Sequence, residues 1–480
     1  MTPPSTPLVP ATLLRDGDAT LAAQLAARYG ERIEQQLLAP GARLPSVREC
    51  ARRHAVSPST VVAAYDQLAA QGLVEARPQR GFFVRGPRTG PRPRPSTSAA
   101  AGAGRPDAPR IRPTDAPAMI RGMFHGVGRP GPGMGTLPPD WLDLPLLHGA
   151  MRRAMAGDDS ALRYGDPAGD PRFRTAFVQR LADIGIGATP AHLLTTMGAT
   201  HALDIVSRTL TQPGDAVLVD EPGWPIEFAR LARLGLRVLT VPRGAQGPDL
   251  DVMRALAEAH RPRLYITVSV LHNPTGALLS LAAAHQVLKL AETFDFTIVE
   301  DDTYAYLAPP HAPRLSALDN LQRSVYLTGF SKIITPNWRV GCIAAAPALA
   351  ERLIDTKLLG MLSTPTAPER ALAVTLEQGT LRRHAERIGH RLETARLRTQ
   401  RLAQEAGFHF VAPPQGLFGW VDAGVDTERL SEAMLDQGWL LAPGTLFHAV
   451  PRPTTLMRVN FATSQDGRLW DTLQKVRAAL

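Results

Sequence analysis

The sequence is poor in cysteine and in lysine, and it contains no long apolar segment. Its 480 residues include only two cysteines, Cys50 and Cys342, so no disulfide framework is expected, which fits a reducing cytoplasm. No run of about 18 or more apolar residues occurs, and a membrane span is therefore not expected. The first residues do not combine a basic region with an apolar stretch, so no secretory signal is predicted. These absences favour a cytoplasmic protein.

Positive charge is concentrated at the start of the chain. The net charge is +9. Residues 1–118 contain 16 arginines, no lysine and nine acidic residues, a balance of +7, which leaves +2 for the rest of the chain. A basic front end on a nearly neutral body predicts contact with a polyanion. The length suggests about three domains, and residues 1–15 are expected to be a disordered tail.

Residues 16–85 carry the pattern of a winged helix-turn-helix. Apolar residues within 19–38 recur at helical spacing. Ser46 and Ser57 each stand where a side chain can cap a short following helix, and Pro58 suits the first position of the second of these helices. Two short helices joined by a tight turn place the second one in the major groove of DNA. Two strand-like runs around a basic turn follow, and they complete the pattern as a wing.

This stretch resembles the GntR family of winged-helix regulators. The motifs Leu-Pro-Ser-x-Arg, Val-Ser-x-x-Thr-Val, Tyr-x-x-Leu, Gly-Leu-Val and Arg-Gly-x-Phe-Val occur in the family's order. The resemblance implies that the second and third helices contact phosphates or bases of double-stranded DNA, and that the wing approaches the minor groove. The residues assigned to DNA on this basis are Arg48, Ser57, Ser59, Thr60, Arg80 and Gly81. For any single one of them, a solvated polar face is the alternative.

Residues 86–118 are rich in proline, arginine, glycine and alanine, and they have almost no apolar side chain to bury. This composition predicts a disordered or polyproline-like linker. Its arginines could add nonspecific affinity for DNA, and a plain solubilising tether is the alternative.

Lys332 is one of only four lysines, and it has unusual neighbours in the sequence. Upstream lie an Asn-Pro-x-Gly that starts at Asn273 and an Asp-x-x-Tyr formed by Asp301 and Tyr304, while Arg339 follows the lysine. Pyridoxal 5'-phosphate (PLP) requires an amine for a Schiff base, a carboxylate for the pyridine nitrogen, donors to the ring hydroxyl and a cation for the phosphate. A solvated surface charge would be the better interpretation of a lone lysine. The order of all these elements favours a PLP site, with Lys332 as the Schiff-base residue.

The rest of the chain, residues 119–480, alternates strand-like apolar runs with amphipathic helices. Such alternation predicts an α/β fold with a largely parallel sheet covered by helices. A large subdomain is expected at about 155–345, and the remaining ends would form a smaller α+β subdomain. Ligand chemistry belongs at the carboxyl ends of the strands, where Asp301, Asn273 and Trp224 fall.

This body resembles the aspartate-aminotransferase superfamily of fold type I PLP-dependent enzymes. The resemblance implies that a turn ahead of a helix cradles the cofactor phosphate through backbone amides, and that a tryptophan stacks on the pyridine ring. It also implies that a tyrosine reaches the phosphate of the neighbouring subunit and that an arginine pairs with a substrate α-carboxylate. The residues are Gly198, Ala199 and Thr200 for the turn, Ser331 and Arg339 for the phosphate, Trp224 for the ring, Tyr164 for the neighbouring subunit and Arg458 for the carboxylate. No metal site is expected.

Two positions depart from the aminotransferase pattern. Gly329 stands where many aminotransferases have a phosphate-binding serine, which leaves Ser331, Thr200 and Arg339 to bind the phosphate. Ile226 offers no second cation for a distal carboxylate, and this modestly disfavours dicarboxylic or ω-amino ligands.

A GntR-like winged helix followed by an aminotransferase-like domain is the arrangement of the MocR subfamily of regulators. This resemblance implies a PLP-dependent transcriptional regulator that forms a homodimer through its C-terminal domain and binds operator half-sites. It would sense an amino acid, an amine or PLP itself through an aldimine at Lys332. An active aminotransferase that carries a DNA-binding arm is the alternative. A third interpretation, PLP-independent DNA binding, is disfavoured by the presence of Lys332, Asp301, Asn273, Tyr304 and Arg339.

Overall fold

A computed structural model describes most of the chain, which divides into two compact units. The described residues are 13, 19–34, 38, 41–77, 80–85, 131–156, 162–309 and 311–480. The expected N-terminal tail, apart from Leu13, lies outside them, and so do the expected linker and the first part of the C-terminal domain up to residue 130. Within these described ranges, no helix is long and apolar enough to cross a membrane.

The N-terminal unit is the predicted winged helix-turn-helix. Ser46 and Ser57 cap the second and third helices by accepting hydrogen bonds from the backbone N–H groups of Glu49 and Thr60. Ala55 adopts a left-handed conformation in the turn between these helices. The elements are α1 (Leu21–Glu34), α2 (Val47–His54), α3 (Pro58–Ala70), β1 (Val74–Arg77) and β2 (Gly81–Val84). The first helix occupies the first part of the segment in which a helix was predicted.

Two buried tyrosines and Phe82 contact one another in the otherwise aliphatic core of this unit. The rings of Tyr29 in α1 and Tyr65 in α3 meet edge to face with their centroids 5.9 Å apart. Tyr65 also packs against Phe82 of the wing, with the centroids 5.0 Å apart, and donates a hydrogen bond to the carbonyl of Pro45. Because one buried tyrosine contacts both the first helix and the wing, α3 is fixed relative to both of them.

Eight strands of the C-terminal unit form one large sheet. They are β3 (Leu193–Thr196), β4 (Ala216–Glu221), β5 (Arg237–Gly244), β6 (Gly247–Pro248), β7 (Leu264–Thr267), β8 (Thr297–Asp301), β9 (Ser324–Gly329) and β10 (Gly341–Ala344). Their order is β3-β10-β9-β8-β7-β4-β5-β6. Strands β4, β5, β7, β8 and β9 are parallel, while β10 runs antiparallel to both its neighbours and β6 antiparallel to β5. The predicted, largely parallel α/β sheet is therefore confirmed.

Helices cover both faces of this sheet and connect its strands. They are α4 (Leu144–Ala154), α5 (Pro171–Asp183), α6 (Ala199–Leu210), α7 (Pro225–Arg233), α8 (Leu250–His260), α9 (Leu281–Phe294), α10 (Leu315–Asp319), α11 (Pro347–Gly360) and α12 (Thr366–Glu377). Short 3-10 helices lie at Pro139–Trp141 and Pro190–His192. Separate apolar clusters lie on the two faces of the sheet and bury most side chains of its central strands.

A smaller α+β subdomain follows the long helix α13 (Thr380–Glu405). Its four strands are antiparallel in the order β11-β12-β14-β13, where β11 is His409–Phe410, β12 is Phe418–Asp422, β13 is Ala442–Pro443 and β14 is Leu456–Asn460. The remaining helices are α14 (Thr427–Asp436), α15 (Gly467–Ala478) and two 3-10 turns at Gly444–Phe447 and Phe461–Thr463. The predicted smaller subdomain is thus present.

Parallel pairing brings the carboxyl ends of the central strands to one edge of the sheet. Asp301 at the end of β8 lies opposite Leu327 of β9, and Thr267 at the end of β7 lies opposite Glu300. The segments that follow these strands therefore leave the sheet at the same edge, which is the usual place for a ligand in such sheets.

Gly169 shows how tightly the segment before α5 packs against the sheet. Its φ is +100°, and a Cβ at this position would lie 2.0 Å from Thr195 Oγ1 in β3. An L side chain would meet both a strained backbone conformation and a steric clash, so glycine is needed here.

Gly169→Ala is therefore expected to destabilise the C-terminal unit by about 2 kcal/mol or more. Gly149→Ala is the matched control, because Gly149 lies inside α4 with no atom within 4 Å of its Cβ position. That change should stabilise the protein by about 0.5–1 kcal/mol. Urea unfolding followed by tryptophan fluorescence measures both, and an unchanged midpoint for Gly169→Ala would contradict the prediction.

Candidate functional site

Lys332 lies in the turn after β9, at the carboxyl edge of the sheet. Its Nζ donates a hydrogen bond to the carbonyl of Gly135 at 2.7 Å. Removal from water lowers the pKa of Lys332 to about 8, helped by the positive charges of Arg458 and Arg339 and opposed by Asp301. A lysine with this pKa has an appreciable neutral fraction near pH 7, which makes its amine a usable nucleophile.

Asp301 ends β8 on the same edge. One of its oxygens, Oδ1, accepts hydrogen bonds from the backbone N–H and the hydroxyl of Thr303, at 3.0 and 2.6 Å. Burial raises the pKa of Asp301 to about 7, although these hydrogen bonds act in the opposite direction. A carboxylate in such a buried position is stabilised by a cationic partner, and a protonated ring nitrogen would be one.

Next to these two residues in the predicted site stand Ser331 and Arg339, from the connection between β9 and β10, and the backbone turn before α6. Arg339 donates from Nη1 to Ser331 Oγ at 3.1 Å and from Nη2 to the carbonyl of Met197 at 2.9 Å. Gly198 caps α6 with a φ of +80°, and a Cβ on it would lie 2.6 Å from Arg339 Nη2. An arginine, a hydroxyl and the amino end of a 12-residue helix together form an anion site suited to a phosphate group.

The other predicted cofactor-binding residues also lie just after strands of the sheet. Ala199 and Thr200 form the first turn of α6, and Trp224 immediately precedes α7, at the carboxyl end of β4. Tyr304 is buried three residues after Asp301 and meets the ring of Phe418 edge to face, with the centroids 5.7 Å apart.

Arg458 lies on β14 of the smaller subdomain and is buried. It donates from Nη1 to Asn273 Oδ1 at 2.9 Å and from Nη2 to the carbonyl of Gly133 at 2.7 Å. Its guanidinium carbon lies 4.4 Å from the ring centroid of Phe418 and 5.1 Å from that of Phe447. Burial lowers the pKa of Arg458 to about 10.

No carboxylate among the described residues pairs with Arg458, and its Nε has no hydrogen-bond partner there. A buried charge without a counterion is costly, and an anionic ligand removes that cost. The position therefore suits a carboxylate supplied by a bound molecule.

The glycine-rich segment 131–136 crosses this site, and the sequence reasoning missed it. Besides the contacts of Gly133 and Gly135, Asn460 Nδ2 donates to the carbonyls of Met134 and Thr136 at 2.9 and 2.8 Å. A Cβ on Gly133 would lie 2.6 Å from the backbone of Leu441. The signal for this close approach was present in the sequence as glycine at every second position of Gly-Pro-Gly-Met-Gly.

His201 is a second residue that the sequence reasoning missed. Its Nδ1 accepts a hydrogen bond from the backbone N–H of Met197 at 3.0 Å. Burial lowers the pKa of His201 and favours the neutral ring that this hydrogen bond requires. The side chain therefore fixes the turn that precedes α6.

Tyr164 does not join the residues around Lys332 within this chain. Its side chain is exposed, in the stretch that leads to α5. Its predicted contact with a neighbouring subunit stays a prediction.

The candidate DNA-contacting residues lie on the N-terminal unit. Ser57 Oγ is within 2.7 Å of Ser59 Oγ and 2.8 Å of Thr60 Oγ1, so three hydroxyls cluster at the start of α3. Arg48 is exposed in the first turn of α2. Hydroxyls and backbone N–H groups at a helix start are common phosphate contacts.

The wing contains one further arginine that the sequence reasoning did not select. Arg80 is exposed in the turn, and Gly81 begins β2 with a φ of +98°. A Cβ on Gly81 would lie 3.4 Å from Arg43 Nε, so the Arg43 guanidinium lies beside the wing. No local motif predicts this position of Arg43, because it depends on an antiparallel β-bridge between Arg43 and Phe83.

Two families match this chain. Residues 142–475 match the family described as "Aminotransferase class I and II", and residues 21–84 match "Bacterial regulatory proteins, gntR family". The first match covers more than half of the chain.

Curated relatives match one or both parts. The chain is 29% identical over 339 residues to 2-aminoadipate transaminase of Thermus thermophilus, covering 67% of this chain and 82% of that protein. It is 25% identical over 484 residues to the HTH-type transcriptional regulator YisV of Bacillus subtilis, covering 94% of each chain. It is 27% identical over 458 residues to the HTH-type transcriptional regulator YdcR of Escherichia coli, covering 92% of this chain and 94% of that one.

Among solved structures, the chain is similar to LysN, the α-aminoadipate aminotransferase of Thermus thermophilus, which was complexed with N-(5'-phosphopyridoxyl)-L-leucine. The TM-score is 0.69 at 25% identity, with 77% of this chain and 97% of that chain covered. The aminotransferase family and this neighbour imply PLP as the cofactor. With residues 142–475 in that family and a GntR-type winged helix-turn-helix ahead of them, the chain belongs to the class I and II aminotransferases and has the two-domain arrangement of MocR-type regulators.

Proposed function

We propose that this protein is a transcriptional regulator that binds PLP at Lys332 and senses an amino acid or amine there, with PLP itself as the simplest effector. The observation that carries the proposal is that one chain contains both a PLP-type site and an exposed recognition helix. The site includes a buried arginine, Arg458, that pairs with no carboxylate among the described residues. An aminotransferase does not need a DNA-binding domain, and a simple repressor does not need a PLP site.

The residues at the sheet edge fit PLP group by group. Ser331, Arg339 and the start of α6 at Gly198, Ala199 and Thr200 would hold the phosphate. Asp301 would keep a proton on the pyridine nitrogen, Asn273 and Tyr304 would contact the ring hydroxyl, and Trp224 would stack on the ring. Bound PLP supplies an aldehyde that condenses reversibly with primary amines. Lys332 would provide the neutral amine that keeps the cofactor attached.

Arg458 would bind the α-carboxylate of an amino-acid effector. The carboxylate would take the place of the Gly133 carbonyl and bring a partner to Nε, so the guanidinium would exchange a neutral acceptor for a charged one. Phe418 and Phe447, against which the guanidinium packs, exclude water from this pair and strengthen it.

On the N-terminal unit, Arg48, Ser57, Ser59 and Thr60 would contact operator DNA through the major groove. Arg80 and Gly81 would bring the wing to the minor groove, with Arg43 beside them. A single module of this size makes few phosphate contacts. Two modules on one homodimer would raise the effective concentration of the second binding event.

Exposed apolar side chains support a homodimer formed by the C-terminal domain. Leu162 and Tyr164 in one stretch are 87% and 85% exposed, and Leu359 and Leu362 in another are 93% and 56% exposed. A surface on which several large apolar side chains are exposed is typical of a protein–protein interface. In such a dimer Tyr164 would reach the phosphate of the neighbouring subunit.

An active aminotransferase that carries a DNA-binding arm is the second candidate. The similarity to a 2-aminoadipate transaminase and the residues around Lys332 favour it. Only measurements of turnover and of promoter binding separate the two candidates.

Lys332→Ala should abolish the visible absorption band of the PLP-loaded protein, and Lys289→Ala, at an exposed lysine of α9, should leave it unchanged.

Because the pKa of Lys332 is about 8 and only the neutral amine attacks, the rate of PLP uptake should rise about fivefold from pH 7 to pH 8. Above about pH 9 the rate should level off. Stopped-flow absorbance measures this rate. A rate that still climbs about eightfold from pH 9 to pH 10 would indicate an ordinary lysine.

Arg458→Ala should leave PLP bound but weaken an amino-acid effector by about 1.5–3 kcal/mol, because a charge-assisted pair is lost. Spectroscopic titration compares wild type and variant. The matched control is the decarboxylated amine of the same amino acid, whose affinity should change little. If the variant loses the same affinity for both ligands, Arg458 does not bind the carboxylate.

Arg48→Ala should weaken binding to the promoter next to the protein's own gene, while Arg382→Ala, an exposed arginine of α13, should not. Affinity should also fall steeply with salt, since arginine–phosphate contacts release counterions. Footprinting and fluorescence anisotropy measure both effects. If the protein shows no preference for that promoter over random duplex and transaminates an amino acid at about 10 per second, the aminotransferase is the correct function.

A further inference from the structure

Lys357 is a buried lysine that the PLP site does not use. It lies on α11, only 1% exposed, whereas Lys289 and Lys475 are exposed. Its Nζ donates a hydrogen bond to the carbonyl of Pro167 at 2.7 Å. The same atom lies 3.5 Å from Thr195 Oγ1 and 3.4 Å from Thr364 Oγ1.

These three oxygens belong to three different segments. Pro167 lies in the stretch 162–169 before α5, Thr195 lies in β3, and Thr364 lies in the connection from α11 to α12. The segments are also joined directly, because the hydroxyls of Thr195 and Thr364 are 2.7 Å apart and the backbone N–H of Thr195 donates to the carbonyl of Ala168 at 2.9 Å. One ammonium therefore sits where the three segments meet.

Two of these segments carry the exposed apolar side chains described above. Leu162 and Tyr164 lie on the stretch that Lys357 ties through Pro167, and Leu362 lies two residues before Thr364. The two stretches pack against each other at Gly165, where a Cβ would lie 2.8 Å from the hydroxyl of the first residue of α12. The third segment, β3, leads directly into the turn that would hold the phosphate.

A buried charge is costly, so an ammonium in this place needs a stabilising surrounding. Burial lowers the pKa of Lys357 to about 8, although the carboxylates of Glu369 and Asp166 act in the opposite direction. The protonated form therefore predominates at pH 7, and it offers three N–H donors to the three oxygens.

We propose that Lys357 is a positioning residue of the subunit interface. Its ammonium fixes the stretch that carries Tyr164 against β3 and the Thr364 connection, and in this way it places Tyr164 at the phosphate site of a second copy of this chain. The inference rests on the proposed function, from which it takes the homodimer and the role of Tyr164.

The test is a double-mutant cycle on the full-length protein with Lys357→Met, Tyr164→Phe and the double variant. Methionine keeps the length and packing of the aliphatic stem and removes the three donors. Two quantities are measured, the PLP dissociation constant by fluorescence titration and the dimer dissociation constant by sedimentation velocity. Lys289→Met is the matched control for loss of one lysine charge, and circular dichroism checks that each variant is folded.

We expect Lys357→Met and Tyr164→Phe each to weaken PLP about tenfold, with the double variant no weaker than either, because both changes remove the same contact. Lys357→Met should also weaken the dimer, and Lys289→Met should change neither constant. Additive losses would show that Lys357 acts only on stability and would overturn the proposal. A dimeric Lys357→Met protein with wild-type PLP affinity would overturn it as well.

If Lys357→Met does not fold, Thr364→Val tests the same junction, since it keeps the ammonium and removes one of its oxygens. It should weaken the dimer, and a wild-type dimer constant would overturn the proposal. A monomeric wild-type protein that binds PLP tightly would instead contradict the homodimer of the proposed function, and with it this inference. In the other failures the wild type still dimerises and binds PLP, so they concern Lys357 alone.

Discussion

The parallel register of β4, β7, β8 and β9 is the constraint on which the candidate site depends. Because these strands end at one edge, segments more than 100 positions apart in the sequence leave the sheet there, from the one with Trp224 after β4 to the one with Lys332 after β9. A shift in that register would move Asp301 relative to Lys332 and separate the carboxylate from the amine. The order of the sheet, more than any single motif, creates the chemistry of the site.

Three cations of the C-terminal unit have different electrostatic roles. Lys332 has a lowered pKa and interacts with the carboxylate of Asp301, whereas Arg458 pairs with no carboxylate among the described residues. Lys357 donates its hydrogen bonds to neutral oxygens. The first surrounding suits an amine that can lose its proton, the second a guanidinium that binds an anion, and the third an ammonium that fixes backbone. Burial is the common cause of all three pKa shifts, and the partner atoms determine what each cation can do.

Short sequence motifs supplied the helix caps and most of the predicted site residues. Ser46 and Ser57 are caps, as predicted, because capping depends on residues three positions apart. Asp301, Asn273 and Arg339 could be predicted as site residues because their motifs are short. Arg43, His201 and the segment 131–136 were not recognised, since their roles depend on contacts with distant backbone. The hydrogen bond from Arg458 to the carbonyl of Gly133 joins residues more than 300 positions apart, and no sequence periodicity predicts it.

The sequence by itself determined the two domain types and the cofactor, because each rests on residue types at short spacing. The residues that would bind the cofactor were predicted from the same patterns. Only the tertiary structure decided that Arg458 has no carboxylate partner among the described residues, that segment 131–136 crosses the site, and that Lys357 is buried at a junction of three segments. Such facts concern what surrounds a side chain. Burial and partner atoms are set by the packing of distant segments, which a linear pattern does not contain.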